Sequence, residues 1–419
     1  MTHRLTIPAS LVIAVGLAAC SGQSGSTVPQ TGSIAPQAHG ANVTQQVATA
    51  SAQKRDFGQR GTNAEILQKI KAGRPRQLPI PGCTTITSGP FINDTAAVVL
   101  TGTQTVDVNG AGCDIAVYVP SGSDAHLDSI NVYGASIYQA AVDPSATLHI
   151  YNTNVTDYTG AYGVESFGNL HIYNSTVRQD GSEIGVDIEG GTAKIGRSSI
   201  FYGLNQGGLY ADGGTTDIDN SDVLEHDRSV TGSFIFPVAV VGEFGGALRV
   251  LSGTISANHS GFGVVYFLGG YGSVDNTLVR GDGIDALLLD NPGSVSINDT
   301  TARLTGHSLG FLNTCPFGPS PCAPFTLKNT TAVGDGTTGS PSFFNDSIGF
   351  AFHNPGFTGS TVYQNVSRNN GIGYVAFCIF PSTAAFQAFL NAGGNQAFGS
   401  IDADALAVNA SNRCGVPNP

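Results

Sequence analysis

Leu148-His149-Ile150-Tyr151-Asn152 and Leu170-His171-Ile172-Tyr173-Asn174 are one pentapeptide written twice, 22 residues apart. Looser copies follow at Ala193-Lys194-Ile195-Gly196-Arg197 and Thr216-Asp217-Ile218-Asp219-Asn220, 23 residues on each time. Later copies begin at Leu248, Gly272, Val295 and Phe325, and the intervals of 32 and 30 residues before Leu248 and Phe325 imply insertions. A second motif alternates with the first. It reads Gly163-Val164-Glu165, Gly185-Val186-Asp187-Ile188-Glu189 and Gly208-Leu209-Tyr210-Ala211-Asp212, and returns at Gly263, Gly349 and Gly373. A third strand-sized piece, such as Ser175-Thr176-Val177, completes each copy.

Both motifs alternate apolar with polar or aromatic residues, the period of a strand. Leu148, Ile150, Val164, Val186 and Ile188 should point inward, and His149, Tyr151, Glu165, Asp187 and Glu189 outward. No single copy can bury its own apolar face, so the copies must stack. Three short strands in 22–24 residues predict an all-β chain. Its architecture would be a single-stranded parallel β-helix with three parallel sheets, right-handed by the general rule for parallel crossovers. A leucine-rich repeat would need a helical segment, and a propeller four strands in a longer repeat.

Asn152, Asn174, Asn220, Asn276 and Asn329, with Asp299, occupy one turn position, which Arg197 and Ser252 interrupt. Asn tolerates the left-handed conformation such a turn needs. The column resembles the asparagine ladder of the pectate-lyase-like β-helix superfamily, over roughly Ser145 to Val375. The resemblance implies that the Leu-His-Ile-Tyr strands form the second sheet and the Gly-Val-Asp-Ile-Glu strands the first. In polysaccharide-processing members, substrate lies along the first sheet, under the loops that follow the third.

Both ends carry their own signals. His3 and Arg4 precede an apolar run, Leu5 to Ala19, too short to span a bilayer and readable as an export signal. Leu17-Ala18-Ala19-Cys20 resembles a bacterial lipobox, implying cleavage before Cys20 and lipidation of its thiol. Ser21, rather than Asp, implies outer-membrane or cell-surface sorting; an ordinary signal peptide is the alternative. The expected organisation is a signal over 1–19, a Ser/Gln/Gly-rich tether over 20–60 and the β-helix over 61–419. Short capping helices are expected at Asn63–Ile70 and Ser382–Leu390. Apart from Cys20 there remain Cys83, Cys113, Cys315, Cys322, Cys378 and Cys414, an even set that outside the cytosol suggests disulfides. Sequence proximity favours Cys83–Cys113, Cys315–Cys322 and Cys378–Cys414, the last tying down the C-terminal segment.

The net charge of −12, with no basic stripe, argues against a nucleic-acid partner. A monomer touching the membrane only through its lipid is expected. Candidate chemistry falls on the outward acids of the first sheet. Asp187, Glu189 and Asp212 are the candidate catalytic residues, with Glu165 and Tyr210 as substrate contacts. Glu165 should stack on Asp187, and Glu189 on Asp212. Carboxylates that close raise one another's pKa or recruit a cation. The first outcome suits the acid of a glycoside hydrolase or lyase; the second suits a Ca2+ bridging to a uronate. No motif demands a cofactor, and no metal ligand set is evident. His226, Asp227 and Arg228, opening the longest insertion, are expected to overhang the same cleft as substrate contacts. Asp180, Glu183, His259, Asp282 and His307 are further loop candidates. His149, His171 and Lys194 form an outward column on the second sheet, read as cross-coil packing. There is no Trp, no adjacent Asp pair and no Gly-His-Gly, so the signatures of pectate lyases and polygalacturonases are absent. Two readings therefore stand: a polysaccharide lyase or hydrolase, and a non-catalytic adhesin or glycan-binding rod.

Overall fold

The structure, a computed structural model, describes residues 82–408 apart from short segments, the longest being 227–237, 315–322 and 336–346. The export signal, Cys20, the 20–60 tether and the Asn63–Ile70 helix lie outside the described residues, as do Glu183, Asp227, Arg228, His259, His307, Cys315, Cys322, Cys378 and Cys414.

The chain winds as a right-handed parallel β-helix. One parallel sheet of thirteen strands, sheet 1, runs from Ala97–Val99 to Ala403–Val408. Sheets 2 and 3 meet along the ladder turn. Sheet 2 holds Asp124–Asp128, Thr147–Tyr151, Asn169–Tyr173 and Thr192–Gly196 in register, His126 beside His149 beside His171 beside Lys194. Sheet 3 holds Asn131–Tyr133, Asn154–Asp157, Thr176–Gln179 and Ser199–Gly203.

Regular coils extend beyond the Ser145–Val375 span of the resemblance. Ile115–Val119 already pairs with Tyr138–Val142, and Asp124-Ala125-His126-Leu127-Asp128 is a further copy of the pentapeptide strand. At the other end, helix α1 (Thr383–Ala392) takes the place of the sheet 2 strand in the last coil. The Ser382 side chain caps it, accepting a hydrogen bond from the Ala385 N–H, and Phe386 and Leu390 are buried beneath it. The backbone N–H of Gln364 donates to Gly393 just past the helix, as other ladder turns do to the coil above.

The interior column is as expected: Leu148, Ile150, Val164, Val186 and Ile188 are fully buried within one continuous apolar core. The ladder turn is left-handed at every rung, with φ between 46° and 58° from Asn152 to Asn329. Arg197 and Ser252, which break the Asn column, keep the conformation at 50° and 58°. Asn174 Nδ2 donates to Asn152 Oδ1 at 2.7 Å, and Asn329 Nδ2 to Asp299 Oδ1 at 3.0 Å. One residue further on, a second ladder runs inside the turn. The backbone N–H groups of Thr153, Ser175 and Ser198 each donate to the hydroxyl one coil above, at Ser175, Ser198 and Ser221, all at 3.1 Å. These hydroxyls satisfy backbone donors that the turn would otherwise leave buried and unpaired.

The Gly that opens each sheet 1 motif has a steric cause. A Cβ at Gly185 would stand 2.7 Å from the Gly208 carbonyl, and one at Gly349 would stand 2.6 Å from that of Gly373. The Cys83–Cys113 disulfide, Cα atoms 5.6 Å apart, pins the entering chain, and Phe91 packs edge-on against Tyr118, Tyr138 and Phe167.

Candidate functional site

The outer face of sheet 1 carries two columns of side chains across the coils. The first runs Ala141, Glu165, Asp187, Tyr210, Val241, Val265, Leu288, Leu312, Ala351, Val375. The second, two residues later along each strand, includes Asp212 beside Glu243, then Phe267, Asp290 and Thr314. Glu189 enters it one coil before Asp212. The expected stack of Glu165 on Asp187 is present, and Asp187 is followed by Tyr210. Five carboxyls thus occupy four successive coils, about 14 Å along the axis at a coil spacing of about 4.8 Å.

Their electrostatics follow from crowding in a partly dry surface. Glu165 and Asp187 point outward yet are buried, unlike the solvated strip that alternation suggests. Burial holds the Asp187 carboxyl well above the usual carboxylate range, reinforced by the charges of Glu165, Glu189, Asp212 and Glu243. Its Oδ1 is buried without a hydrogen-bond partner. Glu243 is raised to about 7 by burial, then by Asp212 and Glu189. Desolvation raises Glu189 and Asp212 too, with Asp212 adding to the effect on Glu189, although Glu189 is exposed. Burial, then Glu243 and Asp187, raise the Tyr210 hydroxyl, so that ring stays neutral.

Glu243 was missed in the sequence because it lies past the insertion, in a strand, Val238–Glu243, without the opening Gly. Asp285 and Asp290, at the two ends of strand Asp285–Asp290, were missed for the same reason. Asp285 is buried on the outer face and raised to about 7 by desolvation. Asp290 accepts from the Thr314 hydroxyl at 2.9 Å, and burial raises it. Around these two acids the later coils form a buried apolar cluster of Val241, Val265, Leu288, Leu312, Ala351 and Val375.

His226 does not sit in an overhanging loop. It ends strand Thr215–His226 and is buried, its Nε2–H donating to Asp180 Oδ1 at 3.0 Å. Arg178 Nε donates to the same carboxylate at 2.9 Å. Burial alone would raise Asp180; the hydrogen bonds from His226 and Arg178 outweigh it and hold the carboxyl down. These residues thus form a buried ion cluster at the edge of sheet 3. Asp282, another loop candidate, ends strand Tyr271–Asp282.

The calcium expectation meets a geometric test. No three of the five carboxyls bring ligand oxygens within 4.8 Å of one another; among the described residues that condition is met by Asp124, His126 and His149, on sheet 2. The acidic columns do not form a cation cage.

Three strands per coil, the left-handed ladder and the parallel sheets decide the fold. It is a right-handed parallel β-helix. No protein-family model and no curated protein matches the sequence. Among solved structures, full-length tailspike protein 2 from Escherichia coli O157:H7 bacteriophage CAB120 is similar over 75% of this chain and 43% of its own, at 13% identity and TM-score 0.35. The enzymatically active domain of bacteriophage CBA120 tailspike protein 2 matches over 75% of this chain and 48% of its own, at 12% identity and TM-score 0.33. Pectate lyase Pel9A matches over 64% of this chain and 67% of its own, at 17% identity and TM-score 0.30. This β-helix spans less than half the length of either tailspike chain.

Proposed function

We propose that this β-helix binds and cleaves an extracellular polysaccharide at the acidic coils of sheet 1, with Asp187 as proton donor. The observation that carries the proposal is Asp187 itself: a carboxyl buried on the outer face, crowded by four others, whose pKa burial and those charges push well above the usual carboxylate range. A neutral carboxyl beside ionisable ones is the pairing that glycosidic cleavage needs. Along one strand Asp187 and Glu189 are spaced by about 6.6 Å, and coils by about 4.8 Å, so both carboxyl separations used by glycosidases are within reach of side-chain rotation. Glu189, exposed, is the partner that meets water; Asp212 stands beside it, and Glu165 and Tyr210 flank Asp187 as sugar contacts. The acidic coils, about 14 Å in all, suit a short run of sugars.

The Leu17-Ala18-Ala19-Cys20 motif supports a lipid-anchored, exported protein at the outer membrane or cell surface. A non-catalytic adhesin is the second reading, favoured by the apolar packing that replaces a sugar track in the later coils.

The test is a polysaccharide panel assayed for new reducing ends and for unsaturated uronates. Activity is expected with at least one polymer and lost in the Asp187→Ala/Asp212→Ala double variant. Activity that survives in a folded double variant overturns the site. Binding without cleavage across the panel establishes the adhesin reading.

A further inference from the structure

On the outer face of sheet 2, well away from the acidic columns, Asp124 and His126 lie two residues apart on one strand, and His149 lies in register with His126 on the next coil. One carboxylate oxygen, Asp124 Oδ1, sits 3.2 Å from His126 Nε2 and 3.3 Å from His149 Nε2. The two imidazoles stack, ring centroids 4.2 Å apart and planes 10° from parallel. All three ligand atoms lie within 4.8 Å of one another.

We propose that Asp124, His126 and His149 bind a divalent transition-metal ion of the Zn2+ class, joining two successive coils. The spacing suits a shared metal once one imidazole turns out of the stack so that both Nε2 lone pairs point at one ion. Charge-assisted N–H···O bonds settle at about 2.7–2.9 Å. Ligand atoms about 2.0–2.1 Å from a tetrahedral zinc stand about 3.3–3.4 Å apart, close to the 3.2 and 3.3 Å of the two nitrogen–oxygen pairs here. The donor set, two imidazoles and one carboxylate, suits zinc and its neighbours rather than Ca2+, which takes oxygen ligands. A supporting contact is in place behind His149: its Nδ1 lies 3.0 Å from the Tyr151 hydroxyl, which fixes the ring with Nε2 toward Asp124. Such outer contacts are the usual partners of metal-bound histidines. The Asp124 side chain is 67% exposed and that of His126 38%, so the ion enters from solvent and keeps a fourth position for water or an anionic ligand.

His171, next in the column, has its ring 4.7 Å from that of His149 but lies outside the ligand trio. It serves as the internal control. The full chain, untagged and stripped with chelator, is titrated with Zn2+ by calorimetry. One equivalent is expected to bind, with affinity falling at least about 100-fold in His149→Asn and in Asp124→Asn, a loss beyond that of an outer contact. His171→Asn is expected to stay within a few-fold of wild type. Absence of binding, or equal binding by a folded His126→Asn/His149→Asn variant, overturns the proposal. Zinc-edge X-ray absorption of the wild type needs no variant: two imidazole shells support the site, and a purely oxygen shell contradicts it.

Discussion

The two halves of the outer face of sheet 1 share a backbone and differ in what they present. In both, the same register continues coil after coil, with a glycine at the head of many strands. Yet Glu165, Asp187, Asp212 and Glu243 in the earlier coils give way to Val265, Leu288, Leu312, Ala351 and Val375 in the later ones. A β-helix needs its inner side chains and turns to stack; the outer column is free to vary. The later half uses that freedom to bury apolar surface, which stabilises. The earlier half gathers like charges and desolvates several of them, which costs stability, an arrangement that perturbed functional carboxyls share.

Carrying an acid across the boundary should have the largest effect. Leu288→Asp places a carboxyl in the buried apolar cluster without a partner, and a loss of about 3 kcal/mol or more is expected by urea denaturation. A loss under about 1 kcal/mol would mean the later half is no true core. The backbone, by contrast, should not distinguish the halves. Gly185→Ala and Gly349→Ala both drive a Cβ against the next coil's carbonyl and should each cost about 1–3 kcal/mol. A large difference between the two would break the assumption of equal coils.

Titration is the gentler probe. Glu243, in the acidic half, and Asp285, in the apolar half, are both raised to about 7 from ordinary values of 4.5 and 3.8. A raised folded-state pKa favours the folded protein while the group is protonated, so this stability is complete only below the ordinary values of 3.8 and 4.5 and is lost as pH rises from there through about 7. Wild-type stability should therefore decline over that window. Glu243→Gln and Asp285→Asn should each flatten the decline, seen as a smaller fall in the urea midpoint from pH 4 to 7.5. A variant with the wild-type slope would remove that group from the account.

Much of this was legible beforehand. The pentapeptide, the glycine motif and the Asn column placed the coils, the inward residues and the Glu165–Asp187 stack, because stacking obliges equal positions to meet. The earliest coils were harder to see: Ala125 and Leu127 replace Leu148 and Ile150, and the strand keeps only its His and its alternation. With that coil went Asp124 and His126, whose partner His149 lies in the repeat that was recognised. Glu243, Asp285 and Asp290 were hidden because their strands lack the opening glycine. The burial of Glu165 and Asp187 depends on what packs around an outward position, which alternation does not encode. His226 looked like a loop residue because nothing local signals its hydrogen bond to Asp180, 46 residues earlier in the chain.

The most direct measurement compares the urea midpoints of wild type and Asp187→Asn at about pH 3 and about pH 7.5. The amide mimics the protonated acid, so the two proteins should match at the lower pH, where Asp187 is neutral folded and unfolded. At the higher pH the variant should be the more stable, because the wild type bears the cost of a carboxyl that prefers to ionise outside the fold. A variant less stable than wild type at pH 7.5 would show that Asp187 is held as a well-partnered carboxylate, and the proton donor would have to be sought elsewhere.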